Sequence, residues 1–172
     1  MKEQQTIKGK RALTMAILKE YSSNPGCEVE LTITLVNEGS VRFRIDLRFG
    51  TAFPTIHTEI LCIKRDFFQL LEDLKQLDHR HLSMIEPHDP GLCIYHIPRY
   101  GPYFVPGRGI LQLPEEEVEE PLYKLMFVLD AYERNNLGSR ECGPALCLTV
   151  SRDQIYMFVN LLREEVMNFH GS

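Results

Sequence analysis

The 172 residues are 44% apolar and 25% charged with a net charge of −5, enough for one domain spanning 1–172 that needs no metal or disulfide to hold its core. Basic residues never cluster beyond Lys8 to Arg11, whereas a phosphate backbone demands concentrated Lys and Arg, so nucleic acid is excluded as a partner. No run approaches the ~20 apolar residues of a membrane span, and five cysteines without C-x-x-C spacing read as reduced, buried thiols of a cytoplasmic protein.

Taken in chain order, Ala12 to Tyr21 fits either periodicity and is assigned to a helix. A hairpin follows. Val29, Leu31, Ile33 and Leu35 alternate with Glu28, Glu30, Thr32 and Thr34; Val41, Phe43, Ile45, Leu47 and Phe49 alternate with Arg42, Arg44, Asp46 and Arg48. Period-two alternation puts one face in the core and the other in water. Directly opposed residues must share a face, so a three-residue loop with Gly39 in the left-handed conformation predicts the pairs Leu35–Val41, Ile33–Phe43, Leu31–Ile45 and Val29–Leu47. The same register sets Glu28 opposite Arg48.

A third strand is expected over Thr55 to Ile63. Beyond it, Phe67, Leu70, Leu71, Leu74 and Leu77 recur at helical spacing behind Asp66, with Gln69 completing a capping box. Leu92 to Ile97 reads as a strand. Residues 98–109 hold three Pro and three Gly and are expected to form an irregular loop. Tyr123 to Tyr132 fits either periodicity, since Leu122, Leu125, Met126 and Leu129 recur at helical spacing after Pro121 while Tyr123, Leu125, Phe127, Leu129 and Ala131 alternate; it is assigned to a strand because the halves then match better, and Pro144 to Val150 is a further strand. Ser151 and Gln154 then form a second capping box, and Ile155, Phe158, Val159, Leu162 and Val166 carry a helix to about Phe169.

The two strand-to-helix passages sit 85 residues apart, with Leu61, Cys62, Gln69 and Leu77 matching Leu146, Cys147, Gln154 and Leu162. Runs of strands followed by a helix, rather than strict alternation, favour an α+β fold. The expected architecture is a mostly antiparallel sheet of about five or six strands, with two or three helices packed on one face and two pseudo-repeated halves.

No nucleophile elbow, phosphate cradle or zinc-finger spacing is present. His79, His81 and His88, with Glu86 and Asp89 nearby, form the one candidate metal or acid–base cluster; His57 and His96 fall in expected strands and read as structural. Arg99, Tyr100, Tyr103, Phe104 and Arg108 belong to residue types that dominate interface hot spots. Glu115, Glu116 and Glu117 begin an acidic run suited to a basic partner. Arg42, Arg44 and Arg48 would line an open sheet face. The expected function is a non-enzymatic module that binds another protein, such as an adaptor or a toxin-neutralising immunity protein, with no cofactor. The alternative is a metal-dependent or acid–base enzyme centred on the three histidines.

Overall fold

The computed structural model describes residues 15–22, 26–86, 91–98, 101–105, 107, 109–113, 121–130 and 142–169. Its elements form two meanders of the same plan. Strands β1 (Ala16–Lys19), β2 (Cys27–Val36), β3 (Ser40–Phe49) and β4 (Ile56–Ile63) pair antiparallel in chain order and lead into α1 (Lys64–Lys75). Strands β5 (Ser83–Ile85), β6 (Leu92–Ile97), β9 (Leu122–Leu129) and β10 (Ala145–Ser151) do the same before α2 (Arg152–Met167). Between β6 and β9, strands β7 (Gly101–Val105) and β8 (Gly109–Leu113) form a separate two-stranded ribbon.

The α+β class and antiparallel pairing are therefore as expected, but one sheet of five or six strands becomes two sheets of four. Alternation reports which side of a strand is buried and not which strand lies beside it. The first sheet stops growing at β4 because α1 follows Ile63 without a loop. The segment assigned to a helix at Ala12 to Tyr21 contains β1, whose Ala16 and Leu18 face inward opposite Leu31 and Val29. Residues 98–109 are not an irregular loop throughout. Gly107 and Gly109 adopt φ of 78° and 80°, a region that costs glycine little, and they carry the turn that pairs Val105 with Gly109.

The hairpin of β2 and β3 keeps the expected register at Val29–Leu47, Leu31–Ile45 and Ile33–Phe43 and then slips. A bulge between Ile33 and Leu35 sets Leu35 opposite Arg42 and Val36 opposite Val41. The turn is held by Asn37, whose Oδ1 accepts from the backbone amides of Gly39 at 3.0 Å and Ser40 at 2.7 Å. This side-chain turn replaces the left-handed Gly39 expected from the sequence.

Only one of the two capping boxes forms. Ser151 Oγ accepts from the Gln154 amide at 3.2 Å, and Gln154 Oε1 accepts from the Ser151 amide at 2.9 Å. Helix α1 instead starts at Lys64, two residues before Asp66, with no side-chain cap on Ile63. The Lys64 amide donates to the Gly39 carbonyl at 2.9 Å, so the neighbouring hairpin turn supplies what a cap would. Gln69 donates to Asp73 along the helix.

One apolar cluster joins both halves. Helix α1 lies on β3 and β4, α2 lies on β1 and β2, and the helices touch each other. Phe43 and Phe67 meet with ring centroids 5.4 Å apart. At the seam, the Tyr21 amide donates to the Thr149 carbonyl at 2.8 Å, and the Thr149 amide donates to Glu20 Oε2 at 2.7 Å. The halves correspond at a spacing of 88, since α1 begins at Lys64 and α2 at Arg152. Ile60, Cys62, Phe67, Leu70, Leu71 and Leu74 then match Leu148, Val150, Ile155, Phe158, Val159 and Leu162, all buried. The spacing of 85 matches exposed Leu61 to buried Leu146 and buried Cys62 to exposed Cys147, so those identities join opposite sheet faces.

Replacing Ser151 by Ala should lower unfolding free energy by about 1 kcal/mol, the usual worth of a helix cap. Gln69→Ala should cost only a few tenths, roughly that of an exposed i,i+4 pair. Denaturant midpoints of the two variants check this difference.

Candidate functional site

The first sheet buries one face beneath the helices and turns the other outward. On the outward face, Glu30 and Asp46 oppose each other across β2 and β3 and are only 4% exposed each. Two adjacent carboxylates would repel if left unpaired. Arg44 clasps Asp46 through Nε at 2.9 Å and Nη2 at 2.7 Å. Arg48 spans Glu28, at 2.8 Å, and Glu30. Thr32 Oγ1 donates to Glu30 at 3.3 Å. Lys19 lies 3.7 Å from Glu28, so three cations answer three acids at this end of the face, and hydrogen bonding to Glu28 together with the nearby acids holds the Arg48 guanidinium above its ordinary value.

The opposite end has a different character. The bulge turns Leu35 out of the core and places it in the row Leu35–Arg42–Leu61 across β2, β3 and β4. Leu35 is 37%, Leu61 47% and Ile63 49% exposed. Among the described residues the Arg42 guanidinium has no ion pair or side-chain hydrogen bond, unlike Arg44 and Arg48. The outcome is one unneutralised cation set among apolar side chains. The arginine stripe pointed to this face, but Leu35 was expected in the core. Its displacement leaves a trace in the sequence: Leu35 and Val36 are adjacent apolar residues that break the alternation.

A second polar cluster lies where the two halves meet. His96, 0% exposed, sits on the apolar face of β6 beside Tyr123, ring centroids 5.5 Å apart. Its Nδ1 lies 2.8 Å from the His81 carbonyl oxygen, so Nδ1 carries the proton, and Nε2 is buried without a partner. Burial holds this imidazole below its ordinary value, outweighing the bond to His81. Arg152, the first residue of α2, stacks on Tyr123 with its guanidinium carbon 5.0 Å from the ring centroid. It donates to the Tyr123 hydroxyl and to the Leu77 carbonyl just beyond α1. Every one of these bonds joins the two halves or fixes a ring, so the cluster serves as a structural clamp.

Glu165 of α2 faces the bulge from inside. Both its oxygens are buried without a full hydrogen bond. Burial pushes its carboxyl up to about 7, and the Ile33 backbone amide offsets only part of that shift.

The residues expected to bind a partner fall elsewhere. Arg99, Tyr100, Arg108, Glu115, Glu116 and Glu117 lie outside the described residues. Tyr103 and Phe104 belong to β7, where their backbones pair with Leu111 and Ile110. Of the histidine cluster, His88 also lies outside the described residues. His81 Nδ1 sits 2.9 Å from Asp78 Oδ2, and His79 Nδ1 sits 3.7 Å from Asp78 Oδ1. Asp78 is spoken for by this contact and by the Arg80 amide, which hold it below the usual carboxylate range. Among the described residues no three His, Cys, Asp or Glu side chains stand close enough to hold a metal ion. Cys62 and Cys93 are buried, but Cys142 and Cys147 are exposed; Cys147 alternates outward because Leu146 and Leu148 take the inner face of β10. Among the described residues no helix is long and apolar enough to cross a membrane.

Compared with protein families, with curated proteins and with solved structures, the chain shows no match. The functional reading therefore rests on the geometry alone.

Two outcomes follow. Arg152→Ala should lower stability by about 2–3 kcal/mol, because it removes hydrogen bonds and a cation–π contact at a half-buried seam; chemical denaturation measures it. Glu165 is protonated more readily in the folded chain than in the unfolded one. Its stabilising effect is thus complete below its ordinary value of 4.5 and is lost as the pH rises through about 7. Glu165→Gln should flatten the stability profile between pH 5 and 8 by about 1–2 kcal/mol, after discounting for solvent at a partly exposed group. Denaturant midpoints of both proteins across that range test the sign.

Proposed function

We propose that this protein is a non-enzymatic binding module that engages another protein through the outer face of its first sheet, in the manner of an adaptor or an immunity protein. The observation that carries the reading is the bulge at Ile33–Leu35, which moves a leucine from core to surface beside an unpaired arginine. Bulges that redirect side chains concentrate at functional positions. An arginine flanked across the strands by two exposed leucines has the composition of an interface centre. The neighbouring lattice of Arg44, Arg48, Glu28, Glu30 and Asp46 is already ordered, so little side-chain freedom would be lost on binding.

Residues 99–108 and 115–117 are proposed as a second contact region, on the strength of their composition and of the ribbon formed by β7 and β8. The common order of four strands and a helix in each half supports an origin by internal duplication.

The test is capture of a partner from the protein's own cells by tagged wild type and by Leu35→Asp and Leu61→Asp variants, with bound metal measured on the same samples. A stoichiometric protein is expected with wild type and should fall at least about tenfold, roughly 1.4 kcal/mol, in both variants, while their melting temperatures hold. Near-equimolar zinc or iron without a protein partner would overturn the proposal in favour of an enzyme built on His79, His81 and His88.

A further inference from the structure

Helix α2 ends on β2. Its last turn, residues 164–167, is closed by the Asn168 amide, which donates to the Glu164 carbonyl at 2.9 Å, and contains no basic residue. The C-terminal end of a helix carries a partial negative charge on its unpaired carbonyls, so an uncompensated anion there is disfavoured. Glu164 is exposed and has water to screen it. Glu165 turns inward under the bulge of β2, and both its oxygens are buried without a full hydrogen bond. Val166 beside it is 2% exposed, and Phe169 packs against the same core.

Among the described residues no neighbouring element supplies a countercharge. Arg163, on the same helix, is paired with Glu72 of α1 and lies over the Phe68 ring. Lys19 of β1 is paired with Glu28, and Arg48 of β3 with Glu28 and Glu30, on the outer side of the sheet. Strands β1 and β2 turn Ala16, Leu18, Leu31 and Ile33 inward, and β10 has no charged residue. Arg152 and Asp153 stand at the far end of α2. What remains for the carboxyl is the Ile33 backbone amide.

We propose that Glu165 is a protonation switch for the docking of this turn: neutral, it seats the end of α2 on β2 beneath the bulge, and ionised, it lifts that turn and admits water to the strand. A neutral carboxyl tolerates burial with one imperfect hydrogen bond, whereas an unpaired buried carboxylate is among the costliest groups to desolvate. Opening a terminal helical turn is the cheaper alternative, because helix ends lie at the low-stability end of the native ensemble. Burial raises the carboxyl from its ordinary 4.5 to about 7, so the docked form holds the proton more tightly than the open one. Docking is therefore complete below 4.5 and is lost as the pH rises through about 7. The strand beneath is the bulged part of β2, so the same event reaches the backbone that turns Leu35 outward.

The experiment follows the full isotope-labelled chain by NMR from about pH 5 to about pH 9. The Glu165 carboxyl carbon should titrate at about 7. Over the same midpoint, amide protection at residues 164–168 and 33–36, corrected for base catalysis of exchange, should fall at least about tenfold while β6 and β9 keep theirs. Glu165→Gln carries no charge at any pH and should hold its protection throughout. Glu164→Gln, at the exposed neighbour, should respond as wild type does. Three outcomes would overturn the proposal: a Glu165 carboxyl titrating near its ordinary 4.5, a carboxyl titrating near 7 while the turn keeps its protection, or the same loss of protection in Glu165→Gln. The wild-type titration decides the first two even if a variant fails to fold.

Discussion

The structure depends on the packing of α2, from the second half of the chain, against β1 and β2 of the first. A four-stranded sheet with a single helix cannot cover its own apolar face, because a helix shields only two strands at the usual 10 Å width. Helix α1 covers β3 and β4, and the remaining half of the sheet is closed by α2. Ile155, Phe158, Val159, Leu162 and Val166 are all 2% exposed or less as a result. The seam between β1 and β10 and the Arg152 clamp hold the two meanders at the separation this packing requires. One apolar cluster is shared between the halves, so each completes the core of the other.

The outer face of the first sheet is a consequence of the same constraint. With both helices engaged on the inner side, no described helix remains to cover the other. Glu30 and Asp46 could not remain buried there without Arg44 and Arg48, since an unpaired buried charge costs several kcal/mol, roughly. The lattice also guards the register. A one-residue slip of β2 against β3 would carry the charged groups of the slipped strand towards the core and part them from their partners, so the ion pairs act more as a constraint on alignment than as a source of stability.

At the bulge the two layers meet. One extra residue in β2 lets Ile33 stay inside against Phe43 while Leu35 passes outside to Arg42. On the inner side, the same irregularity sits against Glu165, a carboxyl kept from full ionisation at neutral pH by its surroundings. A buried, poorly partnered acid beneath an irregular strand is an expensive arrangement for stability alone.

By itself the sequence determined the Glu28–Arg48 pairing from the hairpin register and, from alternation or an apolar stripe, β2 up to its bulge, β3, β4, β6, β10, both helices and the Ser151 cap, whereas the segment of β9 fitted a helix as well and was assigned by matching the halves. Those are local properties, written in residues a few positions apart. It also carried the arginine stripe, because period two separates faces without knowledge of neighbours. Ala16–Lys19 was misread because four residues are too few to distinguish the two periods. Only the tertiary structure decided that the strands divide into two sheets, that α1 needs no side-chain cap, that Leu35 leaves the core and that Arg42 alone stays unpaired among its stripe. Each of these turns on contacts between segments distant along the chain, such as Gly39 with Lys64 or Leu61 with Arg42. Neighbours of that kind are set by how faces close on one another in space, which no local pattern encodes.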